Sequence, residues 1–541
     1  MDNNGNDDLE FSPGEYGACI NAHGLYSASR FVLRLSPETH RRISSYQTGI
    51  VSGVKDPEDL RAFSTYLHET IHWWQHAGSS AGFLMSMTFP IQTHANFSHL
   101  KSLLASVGPK KSIRRLIEIS TEPGGFGTPM GTANIVANNF YDIEFFRELV
   151  SNPASVSRVI KDPFFNWQGH CYEIGYSNII GTIARSVDRE FSVVPDARKW
   201  EPEFQKLREK KAEGWYLGSD IHVAPLGTLQ IFEGQARFAQ LQYLYFSSQG
   251  KLTWEEIRAR NMFTERYIKA FEEFLRLSEL QWPVSVDDPI IGLFLLICDI
   301  SINPGEGFPL PIQFFEAFVT DVSPGMRFLF LCRTVAKDRK AFATAIRNYS
   351  RDEYISVAEA LTRPLLIHHP LLVSQTIAKW SDSNPAFKDL MARFKDFSFG
   401  PENLPVSLLL SQLISFNADK IHRPEFFCWP GAWMTGQRVS EEIVTLFDRN
   451  SALFVDKEDD DSVFPRLHTD RSEEAVHRTF ESFYQFNVTY DMTSQWISTP
   501  GPFKYDYGWL SSKGTFEDCK NFADRGFEGA YGVSPDEFEL I

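Results

Sequence analysis

Residues 68–72 read His68-Glu69-Thr70-Ile71-His72. On an α-helix, positions four apart share a face, so His68 and His72 can offer two imidazoles to one metal ion. Glu69 projects beside the pair, where a carboxylate can reach a metal-held water without being a ligand. Two histidines and one unligated glutamate are what a zinc hydrolase needs to make hydroxide near neutral pH. Zn2+ is therefore the expected cofactor, with His68 and His72 as ligands and Glu69 as general base. Thr70 and Ile71 are uncharged, as a buried site requires.

A helix must carry these residues. Its start is written at Asp56-Pro57-Glu58-Asp59: an N-cap acid, proline in the first turn, then two acids that favour the helix dipole. Gly78 is a suitable end. Leu60, Phe63, Leu67, Ile71 and Trp74 form one apolar stripe, about 120° around the helix from the histidine pair. The helix can bury that back while its imidazoles face a cleft.

At this helix the chain resembles the zincin superfamily of zinc metallopeptidases. One zincin branch continues as HExxHxxGxxH. Here Gln75 stands at the glycine position and Gly78 at the third histidine, so that branch is disfavoured. His76 lies a further turn, roughly 6 Å, along the axis and is expected to be a neighbour of the site and not a ligand. The gluzincin branch takes its third ligand from a glutamate on a later helix, commonly followed by small residues. That resemblance implies Glu233, in Ile231-Phe232-Glu233-Gly234-Gln235-Ala236-Arg237, as third metal ligand. A lone glutamate in an apolar segment is costly to bury unless paired or metal-bound. Arg237, four residues on, offers the plainer alternative of an intrahelical ion pair. Glu144 and Glu173 are alternative third ligands. No acceptor for the second nitrogen of either ligand histidine is evident.

The resemblance implies a zinc-dependent metallopeptidase acting on a peptide or protein substrate. Water held by the metal attacks a carbonyl, and Glu69 passes its proton to the leaving nitrogen. The oxyanion requires a second donor; His222 is the first choice, ahead of Tyr216 and Tyr243. A deformylase-like amidase would need a Glu-Gly-Cys segment, which the chain lacks. The competing readings are a non-catalytic interaction or regulatory protein with a zincin-like metal-binding core, and a helical scaffold with a coincidental motif.

The elements around the motif are predicted to be mainly α with a small β component: a zincin-like active-site helix pair and a large helical accessory region. A strand is expected over 26–36, and helices at 56–78, at 81–120 with breaks at Pro90 and Gly108-Pro109, and near 133–150, 170–186, 227–247, 254–278 and 289–299. Further helices are expected near 311–321, 338–348, 352–362, 370–380 and 403–416. Turn-rich sequence from Trp282-Pro283 to Gly307 suggests a zincin-like domain at 1–282 and a mainly helical accessory domain at 283–541.

Composition excludes several classes. With 43% hydrophobic residues and 46 phenylalanines the chain can build a large core. A net charge of −16 with no basic stripe argues against nucleic acid. The run Asp456–Asp461 lacks the spacing of a calcium loop and suggests a solvated surface loop. The six cysteines are widely spaced, which suits free thiols in a reducing compartment. The acidic N-terminus does not read as a signal peptide, and the apolar runs are too short for a bilayer. A cytoplasmic protein with no membrane partner is expected, with a regulatory protein partner as a further expectation.

Overall fold

The computed structural model describes residues 23–44, 56–121, 124–125, 127–467 and 471–541. The acidic N-terminal stretch and Cys19 lie outside the described residues. The fold is mainly helical, with 66% helix against 5% strand and one small four-stranded sheet.

The motif helix spans Pro57–Gly78, with Asp56 accepting from the Glu58 amide at its start, as its sequence predicts. It is buried almost all round. Phe63, Leu67, Ile71 and Trp74 are buried and Leu60 is half-buried. Each fully buried large apolar side chain contributes roughly 1.5–3 kcal/mol. Trp74 packs edge-on against Phe426, Phe427 and Phe447, and its indole N–H donates to the Asn450 carbonyl at 2.8 Å. The last third of the chain thus clamps the back of the motif helix.

The chain turns at Ser79 directly into a second helix, Ser80–Val107. A Cβ on Gly82 would lie 1.9 Å from the Gln75 carbonyl oxygen, so this tight return requires glycine. The expected break at Pro90 is absent, and the helix runs through it. Pro90 lies in a helix buried along much of its length, Phe83, Met87 and Ile91 included, and that burial outweighs the roughly 3 kcal/mol cost of an interior proline.

The expected strand at 26–36 is a hairpin of Gly24–Ser27 and Val32–Leu35, turned at residues 28–31 with Phe31 at φ 57°. Val32–Leu35 pairs in parallel with Phe454–Lys457, which pairs antiparallel with Asp460–Pro465. The acidic run is therefore a second hairpin and not a loop. Its Asp456 is buried, accepting from the Leu35 amide and contacting His40 Nε2 at 2.7 Å. Elements from both sides of residue 282 share this sheet and one apolar core.

The helix expected over 254–278 is two, Trp254–Ala259 and Glu265–Ser278. Asn261, at φ 56°, turns the chain between them. This break sets the start of the second helix, and with it Arg266 and Tyr267, beside the motif helix. Pro324–Lys337 and the 26-residue helix Glu473–Ser498 were not legible in the sequence pattern. Among the described residues no helix is long and apolar enough to cross a membrane.

Candidate metal centre

Glu233 lies on the helix Thr228–Ser247, which packs along the motif helix. Its Oε2 is 3.6 Å from His68 Nε2 and 3.3 Å from His72 Nε2, and the two imidazole nitrogens are 3.1 Å apart. A tetrahedral zinc ion with ligand bonds of roughly 2.0–2.1 Å needs ligand atoms roughly 3.3 Å apart. The three atoms therefore form one face of such a tetrahedron. Among the described residues this is the one group of three or more potential ligands found close enough to share an ion.

The alternative glutamates are engaged elsewhere. Glu144 pairs with Arg147 and accepts from Gln92. Glu173 pairs with Arg208 at 2.9 Å. His76 is a buried neighbour, its ring held between Tyr26 and Phe232 at centroid distances of 5.5 and 5.1 Å.

The proton position on His72 is fixed by Gln75, a residue that the sequence marked only as a missing glycine. The Gln75 side-chain nitrogen donates to the Phe232 carbonyl at 3.0 Å and to Gln235 Oε1 at 2.8 Å. Its Oε1 is left facing His72 Nδ1 at 2.8 Å. A carbonyl oxygen only accepts, so His72 carries a proton on Nδ1 and directs Nε2 to the cluster, the orientation a metal ligand needs. Among the described residues, buried His68 Nδ1 has no hydrogen-bond partner.

Charges in the cluster are strongly coupled. Burial pushes the His68 imidazole down to about 3 despite the Glu233 carboxylate beside it. Burial works the same way on His72, but Glu233, Glu69 and Gln75 outweigh it and hold that ring above its ordinary value. Burial alone would raise Glu233; the two histidines and Arg266 together keep its carboxyl well below the usual range. The Arg266 guanidinium contacts the outer oxygen of Glu233, Oε1, at 2.6 Å, leaving Oε2 for the histidines.

Glu69 is buried, and its Oε2 accepts from the Tyr26 amide at 2.8 Å. Burial raises this carboxyl to about 7, with His72 and the Tyr26 amide opposing. The hairpin strand that supplies the amide comes this close because residue 24 is glycine: a Cβ there would lie 2.8 Å from Glu69 Cγ.

The alternative ion pair between Arg237 and Glu233 is not among the ion pairs of the described residues. Arg237 instead donates to Gln240 and stacks 3.8 Å over the ring of Tyr267, while Arg266 takes Glu233. Gly234, the small residue after Glu233, makes room for a neighbouring helix. A Cβ there would lie 2.9 Å from Ala270 Cβ, so it admits the helix of Arg266 and Tyr267.

His222 is not brought to the cluster. Gln168 clasps its backbone at both ends, and its side chain, 44% exposed, has Glu213 as its nearest acid at 3.8 Å. Tyr243 packs on Phe63, on the buried back of the motif helix. The polar aromatic group at the cluster is Tyr267, whose ring lies edge-on to His68 at 5.8 Å. No sequence pattern pointed to Arg266 or Tyr267, because their place depends on the turn at 260–264.

Comparison adds no relative to this picture: no protein-family model, curated protein or solved structure matches the chain.

Proposed function

We propose that the protein is a zinc-dependent metallopeptidase of zincin-like type, in the manner of the gluzincin branch. The observation that carries this reading is the set of separations among His68 Nε2, His72 Nε2 and Glu233 Oε2, at 3.1, 3.3 and 3.6 Å. His68, His72 and Glu233 would hold the ion. A zinc ion there supplies a water of lowered pKa and polarises the scissile carbonyl.

The chain's own residues do the rest. Gln75 holds His72 in the ligating tautomer. Glu69 accepts the proton of the attacking water on its carboxylate and returns it to the leaving nitrogen. The Tyr26 amide fixes one Glu69 oxygen, leaving the other for that transfer. Tyr267, whose ring meets His68 edge-on at 5.8 Å, is the candidate second donor to a developing oxyanion.

The test is metal analysis of the purified full chain, paired with proteolysis of an unstructured protein such as casein by wild type and Glu69→Gln. One equivalent of zinc with Glu69-dependent cleavage is expected. Zinc without Glu69-dependent cleavage would favour a non-catalytic interaction protein. No zinc after supplementation would leave the motif a coincidence.

A further inference from the structure

Positive charge is concentrated where the chain's composition would not put it. The molecule carries a net charge of −16, yet two guanidinium groups stand at the candidate metal centre. Arg266 contacts Glu233 Oε1 at 2.6 Å and is 61% exposed, so it faces both the ligand carboxylate and open solvent. Among the described residues Arg237 has no acidic partner within ion-pair distance; its contacts there are Gln240 and the face of Tyr267, and its Nε is buried with no hydrogen bond among them. Tyr267 joins the two, following Arg266 in sequence, lying beneath Arg237 and meeting His68 edge-on.

A divalent ion on His68, His72 and Glu233 would draw on the Glu233 charge that Arg266 now balances. With neutral imidazoles, the ion and the Glu233 carboxylate leave no negative charge to spare, and the two guanidinium groups remain beside the centre without a counter-charge from it. Guanidinium groups suit carboxylates, because their forked donors match both carboxylate oxygens.

We infer that Arg266 and Arg237 are specificity-determining residues that select peptides carrying a carboxylate next to the scissile bond. This rests on the metallopeptidase reading above. The carboxylate can be a peptide's own C-terminus or an acidic side chain, and the two sources share this chemistry.

The test uses the zinc-loaded full chain and three hydroxamates on one peptide scaffold, ending in free alanine, alanine amide or aspartate amide, with binding measured by calorimetry. The free-acid or the aspartate compound is expected to bind at least tenfold more tightly than alanine amide; which one does so identifies the source. That ratio should fall toward one in Arg266→Gln and in Arg237→Gln and be partly kept in Arg266→Lys. Because it is taken within each variant, a uniform loss of metal or hydroxamate affinity cancels. Equal binding of all three compounds to wild type, or a preference that survives both glutamine substitutions, overturns the inference. Failure of every hydroxamate to bind, or of the chain to take zinc, overturns the metal-centre reading and this inference with it.

Discussion

Gln75 Oε1 sits 2.8 Å from His72 Nδ1, on the side of the ring away from Glu233. The same amide reaches across to the Phe232 carbonyl, the residue before Glu233. One side chain therefore fixes a ligand's tautomer and ties the two ligand-bearing helices together. Removing such a partner typically costs 10- to 100-fold in metal affinity. Gln75→Leu is expected to fall in about that range in competition with a chromophoric chelator, with its helical circular dichroism retained. Wild-type affinity in that variant would mean that Gln75 does not set the tautomer.

The ligand and base roles separate by mutation. His72→Ala removes one corner of the triangle and is expected to lose bound zinc. Glu69→Gln leaves all three ligand atoms and should keep zinc while losing turnover by at least roughly 100-fold. Full activity of Glu69→Gln on a true substrate would show that another group takes the proton.

Local signals made the motif helix legible: a cap at Asp56, an apolar stripe, and histidines four apart. Glu233 was legible as an acid too costly to bury unpartnered among apolar neighbours. The surrounding residues were not. Gln75 acquires its role from Phe232 and Gln235, more than 150 positions away in the chain. Arg266 and Tyr267 depend on a left-handed Asn261 that interrupts an otherwise continuous helical pattern. The place of His222 depends on Gln168, 54 positions earlier, which holds its backbone N–H and C=O. The sheet was obscured for a similar reason, since Val32–Leu35 finds its partner strand over 400 residues later.

Gly24 offers a test of how closely Glu69 is positioned. The Cβ of an alanine there would lie 2.8 Å from both Glu69 Cγ and Thr65 Cγ2 and 3.2 Å from Glu69 Oε1. Strand or carboxylate must shift. Misplacement of a reacting group by about 1 Å can cost 100-fold. Gly24→Ala is expected to keep zinc and KM while kcat falls roughly 10- to 100-fold. Unchanged kcat would show that the strand yields without disturbing the base.

Lys420 and Asp299 form an ion pair at 2.6 Å with both side chains buried, and Tyr354 donates to the other Asp299 oxygen at 2.7 Å. Lys420 lies on the helix Leu404–His422, whose Phe416 packs against Trp74 of the motif helix. Removing one member strands a buried charge and costs roughly 3–5 kcal/mol. Lys420→Met should therefore lower the thermal unfolding temperature markedly, and the double variant Lys420→Met/Asp299→Leu should recover part of the loss. A double variant no more stable than the single would assign the loss to packing and not to the unpaired carboxylate.

Asp188 predicts a pH dependence independent of the metal centre. Burial works against its charge, but the amides of Val193, Val194 and Ser192 and the Ser192 hydroxyl outweigh it and hold the carboxyl below its usual value. A carboxyl whose pKa is depressed on folding stabilises the fold above its unfolded value of about 4, and loses that contribution as pH falls through the lower folded value. Hydrogen bonds to a charged group contribute about 1.5–3 kcal/mol. Asp188→Asn should unfold a few degrees below wild type at pH 7, and the gap should narrow as pH falls below about 4. A gap equally wide at pH 3 would show that the carboxylate charge is not what holds residues 188–194 in place.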